Sequence, residues 1–148
     1  MTFEQFVRER GPGLRAALVA AYGPQIGLDA ASEALAYGWE QWARLRTMEN
    51  PAGYLFRVGQ SAARELMREP PSFPVPSGQA LPEFEPGLLP ALAALTEHQR
   101  VCVVLVHGYS WPIVEVARLL DVTHATARTH LQRGMAHLRI ALEVHRAD

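Results

Sequence analysis

The sequence predicts an all-α protein: two small helical domains joined by a Pro-rich linker, the second containing a helix-turn-helix. No run of alternating apolar and polar residues is long enough to suggest a strand, whereas apolar residues recur at helical spacing in both halves. Between the halves, residues 70–87 contain six of the eleven prolines, and proline disfavours helix at and before its own position. We therefore expect domains at 1–69 and 88–148, joined by a semi-extended linker.

Composition excludes several classes of protein. The 148 residues include one cysteine, Cys102, which rules out an internal disulfide framework and a cysteine-rich zinc site. No apolar stretch approaches the ~18 residues of a membrane span and no signal segment is visible, so we expect a cytoplasmic protein with no membrane contact. No glycine-rich phosphate loop occurs, and His98 and Cys102, four residues apart, have no obvious third ligand. We therefore predict a protein that is not an enzyme, with no catalytic residue, no metal and no cofactor.

Glycine and proline set the expected helix boundaries in the first domain. A short amphipathic helix begins near Phe3 and is broken or kinked by the Gly-Pro-Gly sequence at 11–13. A helix resumes over 14–22 and ends at Gly23-Pro24. Asp29 caps or begins the next helix, which reaches about residue 45.

That second helix carries an acidic stripe. Asp29, Glu33 and Glu40 are spaced by four and seven residues, so they share one helix face. Such a stripe suggests a basic surface on a protein partner. The alternative is that Asp29 serves only as a helix cap.

The helix that follows carries a basic face. Asn50-Pro51 is a strong start signal, and the helix runs to about Arg68, with Arg57, Arg64 and Arg68 on one face and Tyr54 near its start. A basic face with an aromatic residue suits the backbone or exposed bases of an opened DNA strand. The alternative is a solvated face whose charge is neutralised by neighbouring glutamates.

The second domain is predicted to contain three helices. The sequence from Thr96 to Gln99 fits a capping box, and the helix it begins ends near Gly108. The Ser-Trp-Pro sequence at 110–112 begins another helix, which runs to Leu120. The last helix covers about His124 to Val144.

Residues 113–131 have the pattern of a helix-turn-helix. Ala117 supplies the small residue that two helices need where they touch, and Asp121, four positions later, occupies a turn position where glycine would be easier. Val122 follows as an apolar plug, and Thr123 can cap the second helix. In this motif the second helix enters the major groove of DNA.

The exposed side of that second helix suits DNA. From His124 to Ile140 it has three arginines, three histidines and no acidic residue, although the chain as a whole has a net charge of −1. The alternative is an ordinary amphipathic helix with a solvated arginine face. The predicted DNA-reading residues are Thr123, His124, Arg128, Thr129, Gln132 and Arg133.

Four segments in chain order resemble a known family. Residues 3–12 (Phe-Glu-Gln-Phe-Val-Arg-Glu-Arg-Gly-Pro) resemble the start of its region 2, and residues 29–39 (Asp-Ala-Ala-Ser-Glu-Ala-Leu-Ala-Tyr-Gly-Trp) resemble its polymerase-binding segment. Residues 50–58 (Asn-Pro-Ala-Gly-Tyr-Leu-Phe-Arg-Val) resemble its −10 segment, and residues 92–133 resemble its region 4 with the −35-reading helix-turn-helix. On these motifs the chain resembles the extracytoplasmic-function (group IV) sigma factors of bacterial RNA polymerase.

The resemblance implies a function and three sets of residues. It implies a factor that binds core RNA polymerase, directs it to promoter −10 and −35 elements, and has promoter DNA and an anti-sigma factor as further partners. Asp29 and Glu33, with Glu40 on the same face, would contact polymerase. The −10 DNA would face Tyr54, Arg57, Arg64 and Arg68, and the −35 major groove would face the predicted DNA-reading residues of the last helix.

Two other functions fit the residues less completely. One is a sigma-like helix-turn-helix regulator that binds DNA without using core polymerase. The other is a helical interaction module that acts on another regulator, which would show no DNA affinity despite its arginine face.

Overall fold

The computed structural model describes residues 1–67 and 87–147, and the ordered elements of these residues are all helical. Helices α1 to α4 form a first lobe (1–67), and α5 to α8 form a second lobe (87–147), so the all-α prediction is confirmed. The prediction of a linker at 70–87 falls almost entirely outside the described residues, and the two domain boundaries stay a prediction. None of the described helices is long and apolar enough to cross a membrane. The helices are α1 Phe3–Tyr22, α2 Pro24–Glu40, α3 Trp42–Leu45, α4 Pro51–Leu66, α5 Leu88–Ala93, α6 Glu97–Val103, α7 Ile113–Leu120 and α8 His124–Ala147, with a turn of π-helix at Val104–Gly108.

Helix α1 runs unbroken through the Gly-Pro-Gly sequence, so the predicted break is wrong. Thr2 and Gln5 form a capping box at its start, and Pro12 lies inside the helix. The side chains of Phe6, Leu14 and Leu18 are buried on both sides of that proline and share one face. Packing of this face therefore outweighs the backbone hydrogen bond that proline cannot donate.

The expected cap at Asp29 is also wrong. Helix α2 begins at Pro24, immediately after α1, and Gly23 with φ 88° serves as the end of one helix and the cap of the next. Asp29 therefore lies inside α2. By contrast, α4 begins as predicted: the side chain of Asn50 accepts a hydrogen bond from the backbone N–H of Gly53 at 3.1 Å.

The second lobe contains the predicted helix-turn-helix. Thr96 and Gln99 form the expected capping box, and the helix they begin continues into the π-helical turn. Asp121 adopts the left-handed conformation (φ 56°, ψ 47°) between α7 and α8. The hydroxyl of Thr123 accepts the backbone N–H of Thr126 at 3.1 Å and so caps α8.

The described residues of the two lobes share one core. A single cluster of buried apolar side chains includes Leu14 and Phe56 of the first lobe and Val101, Cys102 and Leu105 of the second. A smaller cluster, which includes Val103 and Leu138, belongs to the second lobe alone. Helix α6 is consequently packed between α1 on one side and α8 on the other.

A buried arginine joins the two lobes at this junction. Arg100 on α6 is 4% exposed. Its guanidinium donates hydrogen bonds to the backbone carbonyls of Ala20 (2.6 Å), Ala21 (2.7 Å) and Ala93 (3.3 Å) and to that of Leu95. The Ala20 and Ala21 carbonyls belong to the last turn of α1, where helix carbonyls lack partners and a positive charge is favourable.

Candidate nucleic-acid interface

The first turns of α8 present the predicted DNA-reading side chains to solvent. The helix is held from behind by Ala127, which is fully buried, and the turn is fixed by a backbone hydrogen bond from Val122 N–H to the Ala117 carbonyl at 3.0 Å. Two small residues, Ala117 and Ala127, therefore let α7 and α8 approach closely. All six predicted DNA-reading residues are exposed: Thr123, His124, Arg128, Thr129, Gln132 and Arg133.

Some of these side chains already form hydrogen bonds within the protein. The hydroxyl of Thr123 caps the helix, and the hydroxyl of Thr129 donates to the carbonyl of Ala125 at 3.0 Å. Arg128 and His124 lie one turn apart, with a guanidinium nitrogen 3.5 Å from the imidazole Nδ1. Arg128 is exposed on this face, and a guanidinium there can donate two hydrogen bonds to one guanine.

Helix α4 presents the predicted basic face, which the structure extends with one more arginine. Arg57 and Arg64 are exposed, and Tyr54 is half-buried beside Tyr37, with 6.2 Å between ring centroids. Arg44, which no sequence motif singles out, lies over the Tyr54 ring at 5.6 Å and donates to the Tyr37 hydroxyl at 2.7 Å. The hydrogen bond from Tyr37, assisted by Arg44, lowers the pKa of Tyr54.

One member of the predicted basic face lies outside the described residues, and another has an unexpected partner. Arg68 follows the last described residue of the first lobe. Arg57 forms an ion pair with Asp121, the turn residue of the helix-turn-helix. The structure therefore brings together two sites that the sequence assigned to separate domains.

The acidic stripe lies on the outer face of α2. Asp29, Glu33 and Glu40 are all exposed, and none of them forms an ion pair with another described residue. Beside them Trp39 is 61% exposed and Leu28 is 49% exposed. Exposed carboxylates and an exposed indole on one helix form a surface suited to a basic protein partner, since aromatic residues supply contact area and the charges supply orientation.

The residues considered as metal ligands do not form a site. Cys102 is fully buried, and burial raises the pKa of its thiol to about 12. His98 instead packs edge-on against His130 of α8, with 5.2 Å between ring centroids. Within residues 1–67 and 87–147, no group of three or more His, Cys, Asp or Glu side chains could hold a metal ion.

Comparisons with known proteins match both the second lobe and the whole fold. Residues 88–138 match the family model described as sigma-70, region 4. The whole chain is similar to a chain in the co-crystal structure of the sigma factor RpoE in complex with the anti-sigma factor NepR from Bartonella quintana. That similarity has a TM-score of 0.66 at 18% identity and covers 96% of this chain and 97% of that one. No curated protein matches the chain. The first match confirms the resemblance of the second lobe to sigma-70 region 4. The second shows that the chain shares the helical fold of the chain that it matches.

Proposed function

We propose that this protein is an alternative sigma factor that binds core RNA polymerase and directs it to promoters with −10 and −35 elements. One observation carries the proposal: the region 4 match falls on the lobe whose recognition helix exposes arginines and no acid between His124 and Ile140. The protein acts by binding and positioning, without catalytic chemistry of its own.

In this proposal the second lobe reads the −35 element. Arg128 and Gln132 donate to base edges in the major groove, while Arg133 neutralises a backbone phosphate. An Arg128→Ala variant should lose about 10- to 100-fold in affinity for its preferred promoter and discriminate less at one base pair. An Arg133→Ala variant should weaken binding to all sequences alike and make it less dependent on salt.

The first lobe then holds the opened −10 strand. Arg57 and Arg64 lie along the sugar–phosphate backbone, and Tyr54 offers a ring against which an unpaired base can stack. The ordered contacts of Tyr54 with Tyr37 and Arg44 support this role, because a stacking ring should be fixed before the strand arrives. Arg68 completes the face in the family resemblance.

The acidic stripe of α2 is the proposed polymerase contact. Asp29, Glu33 and Glu40 are exposed without an intramolecular partner in the described part of the chain, so a basic surface can approach them at little cost in desolvation. We further propose an anti-sigma protein as a regulatory partner, a proposal supported by the anti-sigma complex of the structurally similar RpoE.

Binding of labelled protein to core RNA polymerase, followed by run-off transcription, tests the proposal. The decisive variant is Asp29→Arg/Glu33→Arg. Its control is Glu4→Arg/Glu143→Arg, which makes the same change in charge at two exposed positions elsewhere. We expect tight binding that the first variant loses and the control keeps. If neither the wild type nor the control binds polymerase, the polymerase role is refuted.

A further inference from the structure

A cavity of about 310 Å³ lies where the two lobes meet, and no described residue that the proposed function assigns to DNA or polymerase lines it. Its walls in the first lobe come from α1, α3 and the start of α4. Its wall in the second lobe comes from α7 and the segment before that helix. Small-molecule sites have volumes of about 300–1,000 Å³, so this cavity is large enough for a small ligand.

Two indole rings, one from each lobe, form fixed walls of this cavity. The Nε1 atom of Trp42 donates to the Met1 carbonyl at 3.1 Å, and its ring packs against Phe6 with 5.0 Å between ring centroids. Trp111 is held against α1, since a Cβ atom added to Gly13 would lie 1.7 Å from the Cζ2 atom of the indole. Rings that are ordered before a ligand arrives lose little entropy on binding, so these walls suit a planar aromatic group.

The cavity also offers positive charge to an anion. The Arg46 side chain is exposed and forms no hydrogen bond or ion pair with another described residue. The Arg118 guanidinium uses one nitrogen to donate to the Glu49 carbonyl at 3.0 Å. Helix α4 begins at the same wall, where Pro51 and Ala52 line the cavity, and a helix N-terminus favours an anion. These groups together suit a phosphate.

Two carboxylates of the cavity have no ion-pair partner in the described part of the chain. They belong to Glu9 and Glu49, which are both exposed, whereas Glu115 is neutralised by Arg10 at 3.2 Å. A carboxylate accepts hydrogen bonds from two neighbouring N–H groups. Guanine carries two such donors on one edge, N1–H and the 2-amino group, whereas adenine has an acceptor at N1 and no amino group at C2.

We infer that this cavity binds a guanine mononucleotide. The base lies against the two indole walls, and its N1–H and 2-amino groups donate to the carboxylate of Glu9 or Glu49. Arg46 and Arg118 hold the phosphate at the start of α4. An anion alone or an aromatic ring alone would leave some of these groups unmatched. The site belongs to the free chain and goes beyond the proposed function.

Isothermal titration calorimetry of the full chain with three related ligands tests this inference. GMP carries every group the site recognises, AMP lacks the N1–H and 2-amino donors, and guanosine lacks the phosphate. We expect GMP to bind one-to-one with a Kd of ~10–100 µM, and AMP and guanosine to bind at least ~10-fold more weakly. Failure of GMP to bind at ~1 mM, or equal affinities for GMP and AMP, would overturn the inference. Neither polymerase nor promoter DNA is present, so such a failure would leave the proposed function standing.

A pair of arginine variants tests whether the phosphate binds in this cavity. Arg46→Ala removes the unpaired guanidinium of the cavity, and Arg8→Ala removes an exposed arginine of α1 that does not line it. We expect Arg46→Ala to weaken GMP binding about 5- to 10-fold and to leave guanosine binding unchanged, whereas Arg8→Ala changes neither. Equal GMP affinities in the two variants would place the nucleotide elsewhere and overturn the inference.

A pair of glutamate variants tests how the base is recognised. Glu9→Gln/Glu49→Gln removes both unpaired carboxylates, and Glu65→Gln/Glu143→Gln makes the same change in charge at two exposed positions outside the cavity. We expect the preference for GMP over AMP to fall to about twofold in the first variant and to stay at its wild-type value in the second. A preference that the first variant keeps would refute the role of the carboxylates.

A guanine at the end of a nucleic-acid strand offers the same chemistry as the free nucleotide. A 5′-phosphorylated oligonucleotide that begins with guanosine is therefore the second probe. We expect Arg46→Ala to leave its affinity unchanged, since the cavity is matched to a mononucleotide. If the oligonucleotide binds more tightly than GMP and Arg46→Ala abolishes that difference, the site belongs to a strand end and the free nucleotide is refuted.

Discussion

Replacing Arg100 by methionine should be among the most destabilising single changes in this protein. Arg100→Met keeps the aliphatic length of the side chain but removes all of its donors. The carbonyls of Ala20, Ala21, Ala93 and Leu95 then lose the hydrogen bonds that the guanidinium donates. A buried acceptor left without a donor costs about 1–3 kcal/mol, and water can reach some of the four.

The expected loss is about 3–5 kcal/mol in the free energy of unfolding, which corresponds to a fall of roughly 10 °C in Tm for a chain of this size. That loss is a large part of the ~5–15 kcal/mol by which a domain is stable. Burial lowers the pKa of Arg100, opposed by nearby Glu97. Even so, the guanidinium keeps its charge, because arginine is not deprotonated in proteins.

Urea unfolding followed by far-ultraviolet circular dichroism measures this loss, with two further variants for comparison. Arg118→Met removes an exposed arginine with one hydrogen bond to a carbonyl at 3.0 Å and should cost less than about 1 kcal/mol. Arg100→Lys keeps the charge but lacks the planar guanidinium with its several donors. Its free energy of unfolding should therefore lie between those of wild type and Arg100→Met. An Arg100→Met variant as stable as Arg118→Met would refute the argument that this arginine joins the two lobes.

Three other outcomes follow from single residues. Burial, together with the nearby charges of His98 and Arg133, lowers the pKa of His130 in the folded protein. Stability should therefore fall as the pH drops through about 6.5, and a His130→Gln variant should lose less in thermal melts across that range. With its pKa raised to about 12, the native Cys102 thiol should react with iodoacetamide at mildly alkaline pH far more slowly than in urea, and equal rates by mass spectrometry would contradict its burial. Asn50→Ala should cost about 1–2 kcal/mol in urea titrations, because it loses both the cap of α4 and the hydrogen bond to the Arg118 carbonyl, whereas Asn50→Asp should keep the cap alone.

The helix-turn-helix could be predicted because its determinants are local. Ala117, Asp121 and Thr123 act within a few residues of one another, and the structure shows each of them in its expected place. The capping residues Asn50 and Thr96 are of the same kind, since a cap acts on a backbone N–H three residues away. Interactions between residues only a few positions apart can be predicted from a single sequence.

The errors arose where distant packing outweighs local preference. The predicted break in α1 at Gly11-Pro12-Gly13 does not occur, because apolar side chains on both sides of the proline are buried on the same face. Asp29 was expected to begin α2, but Gly23-Pro24 is sufficient to end one helix and begin the next with no residues between them. The role of Arg100 could not be predicted from the sequence, because the Ala20 carbonyl that accepts its hydrogen bond lies 80 residues away in the chain.

Two residues that contradict local rules have a common explanation in the lobe junction. A glycine in mid-helix at Gly13 weakens α1, and a non-glycine residue in the left-handed turn at Asp121 strains the helix-turn-helix. Neither choice benefits the lobe that carries it. Gly13 admits Trp111 of the second lobe, and Asp121 pairs with Arg57 of the first. Natural sequences depart from local consistency mainly where function requires it. Both departures meet the opposite lobe, so the contact between lobes is a feature of this sequence that the separate folding of each lobe does not require.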